Sequence, residues 1–188
     1  MDVKELTEDT WGDFEAVMGA NGGASGCWCM HWRLSIAEFM ERKGDGNRRA
    51  MRELAKREPA PGVVVYQEDE PVAWCSIGPR AAFARLGRSP LLASIDDQPV
   101  CAITCIYVHR RHRGAGLLPA ILDTVCEHAA GQGYPVAEGY PIEPREGRRA
   151  GADTAMTGIA SAFLDAGFHE VARRKSDRPI MRRKLRTR

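Results

Sequence analysis

The sequence predicts an α/β fold in a single domain, residues 1–188, built on a central mixed sheet with helices on both faces. The sheet is expected to be mostly antiparallel, with one parallel pair of strands. Three observations predict this class. Between residues 101 and 140 a strand, a helix and a second strand follow one another, as in a right-handed parallel crossover. Two pairs of short apolar runs have the spacing of antiparallel hairpins. Helical periodicity before residue 60 supplies further cover for the sheet.

Each expected element has a local signal: alternating apolar residues for strands, helical periodicity for helices, and Gly, Pro, Ser or Asn at the ends. The helix after the central strand must begin close to Gly116–Leu118, because Pro119 is well tolerated only in a first helical turn. The expected strands are Val3–Leu6, Val63–Gln67, Val72–Ile77, Cys101–Val108, Pro135–Tyr140, Phe168–Arg174 and Pro179–Leu185. The other expected helices run from Thr10 to Met18, from the cap Ser35 to Lys43, from the cap Asn47 to Glu58, and from Ile159 to Asp165.

Composition is ordinary for a soluble globular protein, with 44% hydrophobic and 28% charged residues. The net charge of +2 is too small to argue for nucleic acid as a partner. No apolar run is long enough to cross a bilayer, and the start Met1–Glu5 lacks the pattern of a signal peptide. The six cysteines fall mostly inside apolar patterns, as free buried thiols do in a reducing compartment. We therefore expect a cytoplasmic protein with no membrane partner.

The stretch from Cys101 to Ala130 has the pattern of an anion-binding site. A strand buried on both faces ends at Val108, and the basic run His109–Arg113 follows it. Gly114-Ala115-Gly116 then lets the backbone turn into a helix without Cβ clashes. The free amide hydrogens and the dipole of a helix N-terminus both favour negative charge. This arrangement is expected to bind phosphate.

Other interpretations of this stretch were weighed. Gly114-Ala115-Gly116 also begins a dinucleotide fingerprint, with Glu138 about twenty residues further on, but Pro119 occupies the third glycine position. A P-loop is excluded because no Gly-Lys-Ser/Thr is present. A basic loop that only joins a strand to a helix remains open.

The order of residues resembles the pyrophosphate-binding motif of the GNAT acetyltransferase superfamily: Val108, then Arg113-Gly114-Ala115-Gly116-Leu117-Leu118. Leu118 departs from the family, which usually has Gly or Ala there. Ala162–Phe168 resembles the family's helix ending in Gly-Phe. The resemblance implies a GNAT arrangement with a splayed parallel strand pair, and acetyl-CoA as co-substrate. It implies that pyrophosphate is bound by Arg113, Gly114, Ala115, Gly116, Leu117 and Leu118, and that pantetheine faces the backbone of Ile106, Tyr107 and Val108.

The resemblance also implies an N-acetyltransferase that passes acetyl to a primary amine by direct attack in a ternary complex. Many family members protonate the leaving sulfur with a Tyr four residues before the Gly-Phe pair, where this chain has Phe163. Substitutes are expected at Glu138, as base, and Tyr140, as acid or substrate ligand, because period-two spacing places both on one strand face. The alternative is that Glu138 is solvated or salt-bridged and that Tyr140 packs under the following loop.

Aromatic residues are expected to shape the acceptor site. Trp28 and Trp32 lie in an unusual aromatic segment, Trp74 lies on the first hairpin, and a Trp face over a cation suits an amine. The competing interpretation is core packing. Long loops around such a pocket favour a small-molecule amine as the acceptor.

Cysteine and histidine side chains crowd the same aromatic segment, at Cys27, Cys29 and His31. Zinc normally takes four ligands from paired clusters, and no second cluster is visible in the sequence. We therefore expect no metal, and thiols that pack in the core or line a pocket.

Basic residues near the C-terminal end raise two further expectations. Arg145, Arg148 and Arg149 could meet an acidic substrate or the ribose phosphate of CoA, or be solvated. The basic run from Arg173 to Arg188 has no interleaved aromatics for base stacking, so nucleic acid is not expected as a partner. A homodimer remains open.

Two other function classes remain. One is a catalytically impaired acyl-CoA-binding regulatory module, which Phe163 would allow. The other is an acetyltransferase acting on protein or aminoacyl-tRNA amines.

Overall fold

The computed structural model describes residues 1–144 and 155–186, and these form one seven-stranded sheet. The strands are β1 (Asp2–Glu5), β2 (Val63–Gln67), β3 (Glu70–Pro79), β4 (Cys101–Val108), β5 (Val136–Gly139), β6 (His169–Arg173) and β7 (Pro179–Lys184). Their order in the sheet is β1-β2-β3-β4-β5-β7-β6. Strands β4 and β5 are parallel, and the other neighbouring pairs are antiparallel. The predicted fold class, a mixed and mostly antiparallel sheet with one parallel pair, is confirmed.

Six α-helices accompany the sheet in the described residues: α1 (Trp11–Met18), α2 (Ile36–Glu41), α3 (Asp45–Leu54), α4 (Ala84–Arg88), α5 (Leu118–Gly131) and α6 (Ala160–Asp165). None of the helices in this part of the chain is both long and apolar enough to cross a bilayer. Helix α5 begins at Leu118 with Pro119 in its first turn, as the proline predicts.

The sequence predicts helix caps at Ser35 and Asn47, and the structure confirms the first but not the second. Ser35 caps α2, because its side chain accepts a hydrogen bond from the Glu38 amide and the Glu38 carboxylate accepts one from the Ser35 amide. The expected cap at Asn47 is wrong. Asn47 lies inside α3 and is buried, and its side-chain amide donates to the Gly26 carbonyl at 3.1 Å. This residue ties the helix to the glycine-rich loop instead of starting it.

The core has a layer on each face of the sheet. On one face α5 and α6 pack through Ile121, Leu122 and Phe163 onto strand residues such as Ile103. On the other face α1 and α3 pack onto the alternate strand residues, among them Trp74. Because successive side chains of a strand point to opposite faces, the apolar β4 has to be buried on both sides. Helices therefore cover both faces, as expected.

Candidate active site

The parallel strands β4 and β5 pair over only three residues. Their register is Cys101↔Ala137, Ala102↔Glu138 and Ile103↔Gly139, whereas β4 runs on to Val108. On its other side β4 stays paired with β3 as far as Ala73↔Val108. Within the described residues, the edge of β4 that faces β5 is therefore open after Ile103. An open edge presents backbone N–H and C=O groups to a ligand, as an added strand would use them.

A groove of about 510 Å³ lies along this open edge and reaches the turn before α5. It is lined by strand residues Ile106, Tyr107 and Val108, by turn and helix residues His112, Arg113, Gly114, Gly116, Leu117 and Leu118, and by Gly23, Ala24, Ser25, Ala155, Met156 and Ile159. The structure thus brings together the residues predicted to bind the co-substrate, except that Ala115 of the same turn is not among the lining residues.

The turn before α5 depends on two glycines and an arginine. Gly114 and Gly116 have φ angles of 78° and 68°, in the left-handed region that favours glycine. The Arg113 side chain donates from Nε to the Val108 carbonyl at 2.9 Å, and its guanidinium lies 4.9 Å from the centroid of the Tyr107 ring. No side chain from the described part of the protein caps the N-terminus of α5. Its first amides and the Arg113 cation are therefore available to an anion.

A second cavity of about 370 Å³ adjoins the groove, and both cavities include Ala24, Ser25 and Met156 in their walls. Its other lining residues are Cys27, Cys29, His31, Trp32, Phe39, Cys105, Thr157 and Arg178. None of these lining residues carries a carboxylate. A molecule here would meet apolar rings, thiols and cationic groups.

The three tryptophans predicted to bind the acceptor are separated by the fold. Trp32 lines the second cavity, whereas Trp28 and Trp74 are not lining residues of either cavity. Trp74 is fully buried and its ring centroid lies 4.7 Å from that of Phe14, and the Trp28 ring centroid lies 6.0 Å from that of Phe14. The alternation of β3 turns Trp74 toward α1, so burial in the core explains its position. Substrate contact by these two side chains stays a prediction that their positions do not support.

Glu138 and Tyr140 lie together, as predicted, but inside the protein. Tyr140 Oη donates to Glu138 Oε1 at 2.5 Å, and Arg80 Nη1 donates to both, at 2.7 Å to Tyr140 and 3.1 Å to Glu138. Arg182 Nε donates to the other carboxylate oxygen at 2.7 Å and also pairs with Asp96. Glu138 is 1% exposed, Tyr140 is fully buried, and neither lines the groove or the second cavity. Burial, and then the neighbouring Glu138 carboxylate, raise the pKa of Tyr140.

The contacts of this pair favour the salt-bridged alternative weighed for Glu138. A carboxylate that is paired on both oxygens is a poor base for a substrate that has no path to it. The catalytic roles of Glu138 and Tyr140 stay predictions. Phe163, at the usual Tyr position, is fully buried against Phe168 at a ring distance of 4.9 Å.

Arg178 is the cation among the described residues that line the second cavity, and Arg85 lies 3.0 Å from the ring of the lining residue His31. His31 is partly accessible to solvent, yet desolvation and the charges of Arg85 and Arg178 lower its pKa to about 4. Arg178 donates to the Tyr140 carbonyl at 3.1 Å and to Thr157 Oγ1 at 3.3 Å. Sequence reasoning missed Arg178 because only its place in a basic run marks it.

Two further expectations concern metal binding and the long arginine-bearing loop. Within residues 1–144 and 155–186, no group of three His, Cys, Asp or Glu side chains is arranged to hold a metal ion. Arg145, Arg148 and Arg149 lie outside the described residues.

Comparison with known proteins gives a family and a fold. The family described as Acetyltransferase (GNAT) family matches residues 28–138. No curated protein matches the sequence significantly. The GNAT domain of PAT from S. lividans is 14% identical, with a TM-score of 0.54 over 97% of this chain and 89% of that one. The ribosomal-protein-alanine N-acetyltransferase from Brucella melitensis is 18% identical, with a TM-score of 0.54 over 98% and 100%.

A third similar structure contains ligands. The aminoglycoside acetyltransferase AAC(6')-Ib in complex with coenzyme A and kanamycin is 14% identical to this chain. Its TM-score is 0.52, over 97% of this chain and 94% of that one. At such identities the likeness shows the fold, while the family match covers more than half of the sequence. The open edge of β4, the glycine turn and the family match together show that this chain belongs to the GNAT family of acyl-CoA-dependent N-acetyltransferases.

Proposed function

We propose that this protein transfers acetyl from acetyl-CoA to the primary amine of a small-molecule acceptor, by direct attack in a ternary complex. The observation that carries the proposal is the continuity of the two cavities. A groove that runs from the open edge of β4 to the N-terminus of α5 shares a wall with a second cavity, whose described lining residues carry no carboxylate. One cavity fits the donor and the other fits the acceptor, so both substrates can be bound at once.

The residues of the groove fit acetyl-CoA. The diphosphate would lie on the first amides of α5, next to the Arg113 guanidinium, where the helix dipole and the cation both favour negative charge. The amide groups of pantetheine would pair with the open edge of β4 between Thr104 and Val108. The Leu117 and Leu118 side chains at the base of the groove suit the apolar parts of the chain.

The size of the second cavity supports a small acceptor. Its volume of about 370 Å³ lies near the lower end of the range of ligand pockets, which is roughly 300–1,000 Å³. The cavity holds apolar rings at Trp32 and Phe39 and a cation at Arg178. An amine that also carries an apolar part and an anionic group fits these walls better than a polycation does.

Direct attack needs little from side chains at the acyl carbon. The oxyanion of the tetrahedral intermediate can be stabilised by a backbone N–H near the end of β4, about Val108. A thiolate is a good leaving group near neutral pH, so the buried Phe163 is no obstacle. We assign Glu138 and Tyr140 to the support of the sheet beneath the site and keep catalysis by them as the alternative. The six unpaired thiols suit a reducing compartment such as the cytoplasm.

The test is an amine panel with acetyl-CoA, in which release of free CoA thiol is measured. The proposal predicts saturable release with at least one small amine and intersecting initial-velocity patterns, since both substrates bind before reaction. Saturable CoA binding without thiol release for any amine would indicate a regulatory module instead. Release only with a peptide or an aminoacyl-tRNA would indicate a macromolecular acceptor.

A further inference from the structure

Among the residues that the structure describes, those lining the second cavity include three thiols and no carboxylate. Cys27, Cys29 and Cys105 line it, and all six cysteines of the chain are free. A primary amine is a cation in water near neutral pH and must lose a proton before it can attack. The wall must therefore offer an anion or a base. Among the described wall residues these groups are the three thiols and the His31 imidazole, whose lowered pKa of about 4 makes it a weak base.

Cys29 differs from the other thiols in its surroundings. Its side chain is 3% exposed, and the side chains that favour a negative charge on its sulfur are Cys105, Trp74, Arg33 and Ser76. Arg33 is the nearby cation, and Cys29 is the charged group that acts on Arg33. Arg33 also donates to Ser76 Oγ at 3.3 Å, which holds both groups beside the sulfur.

Two of the donors around this sulfur are otherwise unused. Trp74 Nε1 and Arg33 Nε are buried and form no regular hydrogen bond within the described residues. Trp74 itself is fully buried. Buried donors are normally satisfied, and a charged acceptor satisfies them better than a neutral one. A negative charge on the Cys29 sulfur supplies the acceptor that this cluster lacks.

The pKa of Cys29 is shifted in the opposite direction from those of the other five thiols. Burial alone would raise the pKa of Cys29, but the Cys105 and Trp74 donors, the charge of Arg33 and the Ser76 hydroxyl stabilise a charged sulfur, outweigh burial and lower the pKa. Burial raises the pKa of Cys27 to about 11 and those of Cys101 and Cys126 to about 12. The pKa of Cys75 is raised by burial, and that of Cys105 first by its hydrogen bond to Cys29.

The backbone around Cys29 is conformationally strained. Trp28 and Cys29 have φ angles of 46° and 59°, so two consecutive residues with side chains adopt the left-handed conformation. Such strain persists where the surroundings enforce it. The turn places Cys29 beside Cys105, whose next neighbour in β4, Ile106, lines the groove.

We propose that the Cys29 sulfur, as an anion, binds the ammonium group of the acceptor and takes its proton. This inference rests on the proposed function. The proton moves from the ammonium nitrogen to Cys29 Sγ, and the freed lone pair forms the new C–N bond at the acetyl carbon. The thioester C–S bond breaks and CoA leaves as a thiolate. The second proton of the amine goes to that thiolate, and Cys29 returns its proton to water.

The first part of the test needs no substrate. Ultraviolet absorbance of thiolates is titrated in the wild type, in Cys29→Ser and in the matched control Cys126→Ala, whose thiol lies in the opposite core layer. We expect one thiolate per chain to appear below the ordinary thiol pKa of about 8.5 in the wild type and the control, and to be missing in Cys29→Ser. Absence of this thiolate in the wild type, where no substitution can disturb folding, would overturn the proposal.

The second part is kinetic, with melting curves to show that each variant is folded. In Cys29→Ser, kcat/KM for the amine should fall by about 10²–10⁴-fold, while binding of CoA is kept. The acidic limb of the wild-type pH profile should coincide with the thiolate titration.

Three outcomes would contradict the account. If folded Cys29→Ser or Cys29→Ala has the wild-type rate and pH profile, the role of Cys29 is wrong, while the proposed function stands. An acetyl group left on Cys29 by acetyl-CoA without amine would also overturn it, in favour of a covalent route. A wild type that acetylates no amine would instead remove the proposed function.

Discussion

At the scale of single residues, the turn before α5 depends on backbone conformations that only glycine adopts freely. Gly116 has a φ angle of 68°, and no atom lies near the position of an added Cβ. Any effect of a substitution there must therefore come from backbone strain and not from a clash. Gly131, at the end of α5, also has open space around it but does not have a positive φ angle. The two positions form a matched pair.

We predict that Gly116→Ala destabilises the protein by about 1–2 kcal/mol, because a left-handed residue with a Cβ is strained. The strained turn should also bind CoA more weakly. Gly131→Ala should be neutral or stabilising by up to about 1 kcal/mol, since alanine favours the helix. Urea unfolding measures both free energies. Equal effects at the two positions would contradict this account of the turn.

His31 predicts a pH dependence of stability. Its pKa is lowered from 6.5 to about 4 in the folded protein, so the unfolded chain binds the proton more readily. Stability should therefore fall as the pH drops from about 6.5 toward 4, with no contribution above that window. Melting temperatures of the wild type and His31→Gln across this range check the sign. The wild type should lose more stability on acidification than the variant, and a smaller loss would contradict the assignment.

At the scale of elements, the short pairing of β4 with β5 creates the site, and a buried ion-pair network supports it. Glu138 of β5 joins Arg80, which follows β3, to Arg182 of β7, and Asp96 closes the network at the surface. The network thus connects strands on both sides of the opening. Because its members are far apart in sequence, only the shared face of Glu138 and Tyr140 could be predicted.

We predict that Glu138→Gln is destabilising by about 3–5 kcal/mol, since it leaves two arginines without their buried counter-charge. Tyr140→Phe should cost about 1–3 kcal/mol, because the carboxylate and Arg80 lose a buried partner. Chemical unfolding measures the effect of each substitution on stability, and the pH dependence of kcat measures its effect on catalysis. Unchanged stability together with a large loss of kcat would support catalysis by these residues over a structural role.

At the scale of the whole molecule, local patterns were predictive where the chain is regular. The limits of β4 and the start of α5 follow from apolar residues, glycines and one proline, and the parallel pairing of β4 with β5 follows from the crossover. The segment before α2 was not predictable, because Trp28 and Cys29 adopt left-handed conformations that no periodicity signals. The role of Arg178 could not be predicted either, because its position in the second cavity depends on tertiary packing.

The most direct test of the account is the rise in melting temperature that CoA produces in the wild type, in Arg113→Glu and in Arg111→Glu. Both substitutions change the charge equally, but Arg111 is exposed and does not line the groove. A ligand at a hundredfold excess over its Kd stabilises the folded state by about 2.7 kcal/mol. We predict a clear shift in the wild type and Arg111→Glu, and loss of most of it in Arg113→Glu. The same shift in all three proteins, or none in the wild type, would contradict the binding of the CoA diphosphate at the turn before α5.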